Sequence, residues 1–179
     1  MTTENTLALL NSIHSDLKVV KELVYDKCGF DLTNLKQNEE SKEYGACTFV
    51  LNGKTIEQRI SKITPTKTGQ FVTIWKRNKD GITEPFDNED NFDFIIITAR
   101  NGENFGQFIF PKLVLADRGI ITRNGKEGKR GIRVYPPWDI VTNKQAMKTQ
   151  NWQTKYFLTI KNDNKTDLDL ATKLLTKIS

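Results

Sequence analysis

Leu7, Leu10, Ile13, Leu17, Val20 and Val24 recur at steps of three and four, the spacing that lines one stripe of an α-helix. This predicts an amphipathic helix over 5–27, with Gly29 placed to close its C-terminal end. The polar run 31–45 reads as a loop. From Cys47 the period changes: Cys47, Phe49 and Leu51 alternate with Thr48 and Val50, which predicts a strand. The Asn-Gly of "NGK" after it is a strong hairpin signal. A second strand follows over 55–63, with Ile56 and Ile60 set against Glu57, Arg59 and Ser61. Pro65 and Gly69 bound a loop that leads into a strand over 70–77. The nearly unbroken apolar centre of "FDFIIITAR" (92–100) marks a central strand buried on both faces, and "QFIF" is another. Pro111 opens a short helix that Gly119 stops. A Gly-rich loop, "NGKEGKRG", precedes the strand "IRVYP", and "NKQAMKTQNWQTKYF" reads as helical. Thr166, with Asp169 three residues on, gives a cap-like start to a last helix with Leu168, Ala171, Leu175 and Ile178 on one face. The expected architecture is α+β, a single domain over 1–179. It has a largely antiparallel five- to six-stranded sheet, an N-terminal helix and C-terminal helices.

Composition sharpens this. Of 179 residues 37% are hydrophobic, low for a globular domain, but they cluster in periodic runs, so the chain is expected to fold with a charged, wet surface. No apolar run approaches the ~18 residues of a transmembrane helix. The N-terminal stretch lacks the basic start and apolar centre of a signal peptide. Cys28 and Cys47 are the two cysteines, too few for a disulfide framework or a four-cysteine zinc site. A cytoplasmic protein with no membrane partner is expected.

The net charge is only +5, but it is segregated. From Lys54 to Lys79 there are seven Lys or Arg against Glu57 alone, and from Arg123 to Arg133 five against Glu127. Between these runs, Asp80 to Asp93 holds six acids and no base. Such blocks predict one face suited to a polyanion. Neutralisation of the blocks by one another across the fold is the plainer alternative.

Catalytic signatures are sparse. The single histidine, His14, falls in the first predicted helix without a second ligand at metal spacing, so zinc chemistry and histidine-based triads lack their parts. Neither GxxxxGK[ST] nor GxGxxG occurs. No metal, no cofactor and no catalytic residue is expected. "GKEGKRG" could cradle a phosphate on its backbone N–H groups. A metal-dependent nuclease strand wants an acid, any residue, then Lys. The strand best placed for it reads Ile74-Trp75-Lys76, and Ile holds no Mg²⁺. Acid-x-Lys does occur at Asp16, Glu40, Glu127 and Asp163, in a helix and loops.

Binding fits the residues better. Along 70–77, Phe71, Thr73, Trp75 and Arg77 share one face and Val72, Ile74 and Lys76 the other. Either face fits the core, and if Val72 and Ile74 are the buried pair, Phe71, Trp75 and Arg77 point outward. Arg133 and Tyr135 share a face of the later strand in the same way. Arginine beside an aromatic ring holds phosphate and stacks on a base. In the 143–157 helix, Lys144, Lys148 and Lys155 fall in one narrow arc, with Trp152 and Tyr156 on another. Thr64, Thr66 and Thr68 add hydroxyl donors. No helix-turn-helix or zinc finger is present to read bases.

The stretches "SKITPTKTGQFVTIWKR", "FGQFIFPKLVLADRGI", "GKRGIRVYPPWD" and "KQAMKTQNWQTKYF" resemble the MepB family of small bacterial proteins, over roughly 45–160. One member is encoded in a staphylococcal multidrug-efflux operon. The resemblance implies a fold like that of type II restriction endonucleases and a nucleic-acid-binding surface. Placed on this chain, that surface comprises Arg59, Lys62, Thr64, Thr66, Lys67, Gln70, Trp75, Lys76, Arg77, Lys126, Lys129, Arg130, Arg133 and Tyr135. Ile74, where an active nuclease would carry an acid, departs from the cleaving pattern. The expected function is nucleic-acid binding without strong catalysis, with double-stranded DNA as the favoured partner. Three readings stand beside it: a divalent-metal-dependent nuclease with dispersed carboxylates (Glu57, Glu84, Asp87, Asp93 or Glu127), a nucleotide- or phosphate-binding accessory protein linked to drug resistance, and a module for an acidic protein partner.

Overall fold

Residues 14–38, 42–162 and 165–177 are described by a computed structural model. Its centre is a six-stranded sheet built from β1 (Leu32–Gln37), β2 (Cys47–Leu51), β3 (Lys54–Ile60), β8 (Phe94–Asn101), β9 (Asn104–Pro111) and β11 (Phe157–Thr159), paired in that order. Every neighbour is antiparallel except β3 and β8, which run parallel. The chain between those two leaves the sheet. It forms β4 (Lys62–Thr64) and β5 (Lys67–Thr73), and then a two-stranded ribbon of β6 (Trp75–Arg77) and β7 (Thr83–Pro85). The strand β10 (Gly131–Val134) joins β5 to complete a three-stranded sheet in the order β10-β5-β4. The class is α+β, as the residue patterns predict.

Apolar alternation explains the layering. Phe94 and Ile96 of β8 face one side, with Phe49, Ile56 and Ile109. That side is closed by α1 (Ser15–Val20, continued by a wider turn over Lys21–Tyr25) and by α4 (Leu168–Thr176). Ile95, Ile97 and Ala99 face the other side, where Val72, Ile132 and Val134 of the small sheet cover them together with α2 (Lys112–Asp117) and α3 (Lys144–Gln153). Burying each such side chain contributes roughly 1.5–3 kcal/mol, so β8, apolar on both faces, holds the two layers together.

Several boundaries differ from the periodic reading, each for a local reason. The run 31–45 holds a strand, β1, because Leu32 and Leu35 are both buried although three apart. A register shift between Thr33 and Lys36, with Asn34 at φ 53°, breaks the two-residue period. The strand expected over 70–77 divides at Ile74, whose N–H donates to the Arg130 carbonyl before the chain turns into the ribbon. Within the acidic run 80–93, Thr83–Pro85 forms the strand β7. His14 is not mid-helix: it caps α1, its Nδ1 accepting from the Asp16 N–H at 3.3 Å. Residues 5–13 of the expected first helix lie outside the described residues. The last helix is capped by Asp167, which accepts from the Leu170 N–H, while Thr166 bonds the Lys161 backbone. The buried face of that helix is Ala171, Leu174 and Leu175; Ile178 lies outside the described residues.

Candidate nucleic-acid interface

The β4–β5 hairpin and β10 carry the densest group of predicted site residues. β10 pairs with β5 so that Arg133 lies opposite Phe71, and the residues opposite share a face. Gly69 has φ +84°, and a Cβ there would meet the Tyr135 ring at 2.7 Å; one on Gly131 would meet the Phe71 ring at 2.7 Å. Two aromatic rings therefore pack closely against two glycines, with Arg133 between them along β10. The Arg133 Nη1 donates to Thr64 Oγ1 and to the Gly69 carbonyl, both at 3.0 Å, tying the exposed turn of Thr66 and Lys67 to β10.

A cleft of about 430 Å³ opens between the outer edge of β10, the helix α3 and the C-terminal end of α2. Arg118, Lys129, Arg133 and Lys148 line it, and neither Asp nor Glu is among the lining residues. Tyr135 and Trp152 supply aromatic wall, and Gln145 and Thr149 supply neutral polar groups. Arg118 lies over the Trp152 ring at 5.0 Å. Lys148 and Trp152, one turn apart on α3, share this wall, so the lysine arc and the aromatic arc of that helix are adjacent and not separate. Arg118 and Thr149 lie outside the predicted set. Arg118 is a lone cation at the helix stop, and no local pattern marks it.

The structure does not gather the remaining predicted residues here. Arg59 is 3% exposed: its Nη1 donates to Glu57 at 3.3 Å and to the Gln58 carbonyl, and its Nε has no partner. Gln70 is 1% exposed and accepts from Ser61 Oγ. Neither belongs to a surface. Lys62 pairs with Glu43 and lies over Tyr44; Lys76 pairs with Glu84 and Asp90; Arg130 pairs with Glu127 and donates to the Thr83 carbonyl. Trp75 and Arg77 stack on each other in the separate ribbon, and Arg77 also donates to the Gly81 carbonyl. Lys126 lines a different depression, beside Arg123 and Asn124. Between the acidic block and the basic blocks the ion pairs are those of Lys76 with Glu84 and Asp90, whereas Lys62 and Arg130 pair with acids outside the acidic block. Burial lowers the Lys76 pKa, but the hydrogen bond and charge of Asp90 and Glu84 outweigh it, so the ammonium stays charged more firmly than an ordinary lysine.

The dispersed carboxylates are equally engaged. Burial raises the Glu57 pKa against the opposing charge of Arg59. Glu84 accepts from Lys76, Asp87 from the Glu89 N–H, Asp93 from the Thr55 N–H, and Glu127 from Arg130. Among the described residues no three His, Cys, Asp or Glu side chains form a group that could hold a metal ion.

A model of the MepB-like family matches residues 38–159. The chain belongs to the MepB-like family. In the crystal structure of MepB, the matched protein is 32% identical to this chain, with a TM-score of 0.71 over 91% of this chain and 99% of the other. A search of curated proteins finds no match. Every residue lining the cleft, from Arg118 to Gln153, falls inside the segment matched by the MepB-like model, as do the β4–β5 hairpin and β10. No helix among the described residues of this MepB-like chain is long and apolar enough to cross a membrane.

Proposed function

We propose that this MepB-like protein binds nucleic acid in the cationic cleft, without strong cleavage activity. The observation that carries the reading is four cations around one concave site with no carboxylate in its lining. Low-dielectric walls concentrate such a field, and each phosphate seated on a Lys or Arg releases a condensed counterion. The exposed turn at Thr66 and Lys67, tied to the cleft through Arg133, extends the same surface. Cytoplasmic residence fits the two free thiols. Cys47 is buried and its thiol is pushed up to about 12 by that burial, which leaves it unreactive.

The test is titration of labelled nucleic acid, single- and double-stranded, against the wild-type protein and a variant carrying Arg118→Glu, Lys129→Glu and Lys148→Glu. Binding that weakens steeply with salt and is lost in the variant, with the fold intact by circular dichroism, is the expected result. Salt-independent binding, or none, would overturn it. The cleft volume also falls in the range of small-ligand pockets, roughly 300–1,000 Å³, which favours a phosphorylated small molecule as the second reading. Mononucleotide binding as tight as that of an oligonucleotide would select it.

A further inference from the structure

Resting on that reading, we infer that the ligand is single-stranded nucleic acid, held with one unpaired nucleotide inside the cleft, and not a duplex. Three observations lead there. First, Arg118, Lys129, Arg133 and Lys148 share a concavity of about 430 Å³ with no carboxylate in its lining, the volume class of one small ligand. A duplex keeps its bases stacked inward and offers a protein only two phosphate rails, which a cation ridge tracks across the surface. Of the predicted cations outside the cleft, Lys62, Lys76 and Arg130 are paired with Glu43, with Glu84 and Asp90, and with Glu127.

Second, the cleft walls are those a splayed base needs. The Tyr135 ring is half-buried and packed closely against Gly69, so little conformational freedom remains to be lost when a base stacks on it. Arg118, laid over Trp152, presents a second planar group. Aromatic rings and guanidinium planes are the stacking platforms for unpaired bases, contributing roughly 1–3 kcal/mol per base.

Third, one wall is an open strand edge. β10 pairs with β5 on one side only. On the other side the Gln153 side chain imitates a strand: its Nε2 donates to the Arg133 carbonyl at 3.1 Å, and its Oε1 accepts from the Tyr135 N–H at 2.9 Å. By the alternation of an extended chain, the Arg133 N–H points to that same edge. A directional donor beside the Arg133 and Lys129 charges positions one phosphate, and the chain must pass between β10 and α3 to reach it.

The experiment measures fluorescence anisotropy of a labelled oligothymidylate, a labelled duplex of equal length, and competing thymidine monophosphate, with wild type, Tyr135→Leu and Lys148→Glu. Lys148 is exposed on α3, so its change leaves the fold intact even if Tyr135→Leu disturbs the hairpin. The single strand is expected to bind at least about tenfold more tightly than the duplex, a difference of about 1.4 kcal/mol. Lys148→Glu should weaken the single strand about tenfold and the duplex little. A duplex that binds equally or better, and is lost with Lys148→Glu, overturns the single-strand inference and leaves nucleic-acid binding standing. Failure of both polymers overturns both readings. Thymidine monophosphate competing as well as the oligomer overturns both in favour of a small phosphorylated ligand.

Discussion

Asp139 shows how a single buried atom sets a pH dependence. One carboxylate oxygen accepts from the Gly69 N–H, while Oδ2 is buried without a partner. Burial raises the pKa above the usual 3.8, and the Gly69 bond only partly opposes it. A carboxyl raised in the folded state binds more protons there than in the unfolded chain. Its contribution is therefore fully present below the unfolded pKa and is lost as pH rises through the folded one. Asp139→Asn keeps an acceptor for Gly69 and removes the charge. We expect the variant to be more stable than wild type at neutral pH by about 1 kcal/mol, the scale of one unsatisfied buried acceptor. The difference should shrink as urea midpoints are compared at falling pH. A difference that grows on acidification would contradict this account of Asp139.

At the scale of elements, what could be read from the sequence divides by distance. Alternation located β2, β3 and β10 because a buried face imposes a two-residue period on a straight strand, and short apolar runs located β8 and β9. It missed β1, where the bulge at Asn34 puts Leu32 and Leu35 on one side three residues apart. The site was half legible for a related reason. Arg133 and Tyr135 declare a shared face locally, whereas pairing of Lys62 with Glu43 or Lys76 with Asp90 depends on which loops meet. Charge density alone therefore overcounted the surface, and Arg59 was its clearest error, because the large sheet buries Arg59 against Glu57 and the Phe86 ring. Docking of α3 on β10 was equally hidden, since it runs through two neutral amides. Gln150 donates to the Pro136 and Asp139 carbonyls and Gln153 occupies the edge of β10. Gln153→Ala leaves the Tyr135 N–H and the Arg133 carbonyl without it. At about 1–3 kcal/mol for each orphaned group, the expected loss is about 2–6 kcal/mol in denaturant unfolding. Hydrogen exchange should accelerate at the Tyr135 amide first. Unchanged protection there would mean that α3 is held by Trp152 packing and not by Gln153.

For the whole molecule, the two layers divide the labour of the charge. The helix-covered side of the large sheet carries the N-terminal and C-terminal elements, and the other side carries the small sheet, α2 and α3 with the cleft. Net charge of +5 spread over such a body would give a weak, diffuse attraction. Four cations around one cleft give instead a countable one. For single strands, log K falls against log salt with a slope of about −0.7 per phosphate neutralised, so full use of the four cations sets a slope of about −3. Lys129→Gln and Lys148→Gln should each make the slope shallower by about 0.7. Lys76→Gln should barely move it, because Asp90 and Glu84 already hold that ammonium. Lys36→Gln, on the edge strand β1 that packs into the helix-covered layer, should leave it unchanged. Salt titrations of the four variants decide the matter. Equal shallowing by Lys36→Gln and Lys129→Gln would show that the ligand responds to total charge and not to the cleft.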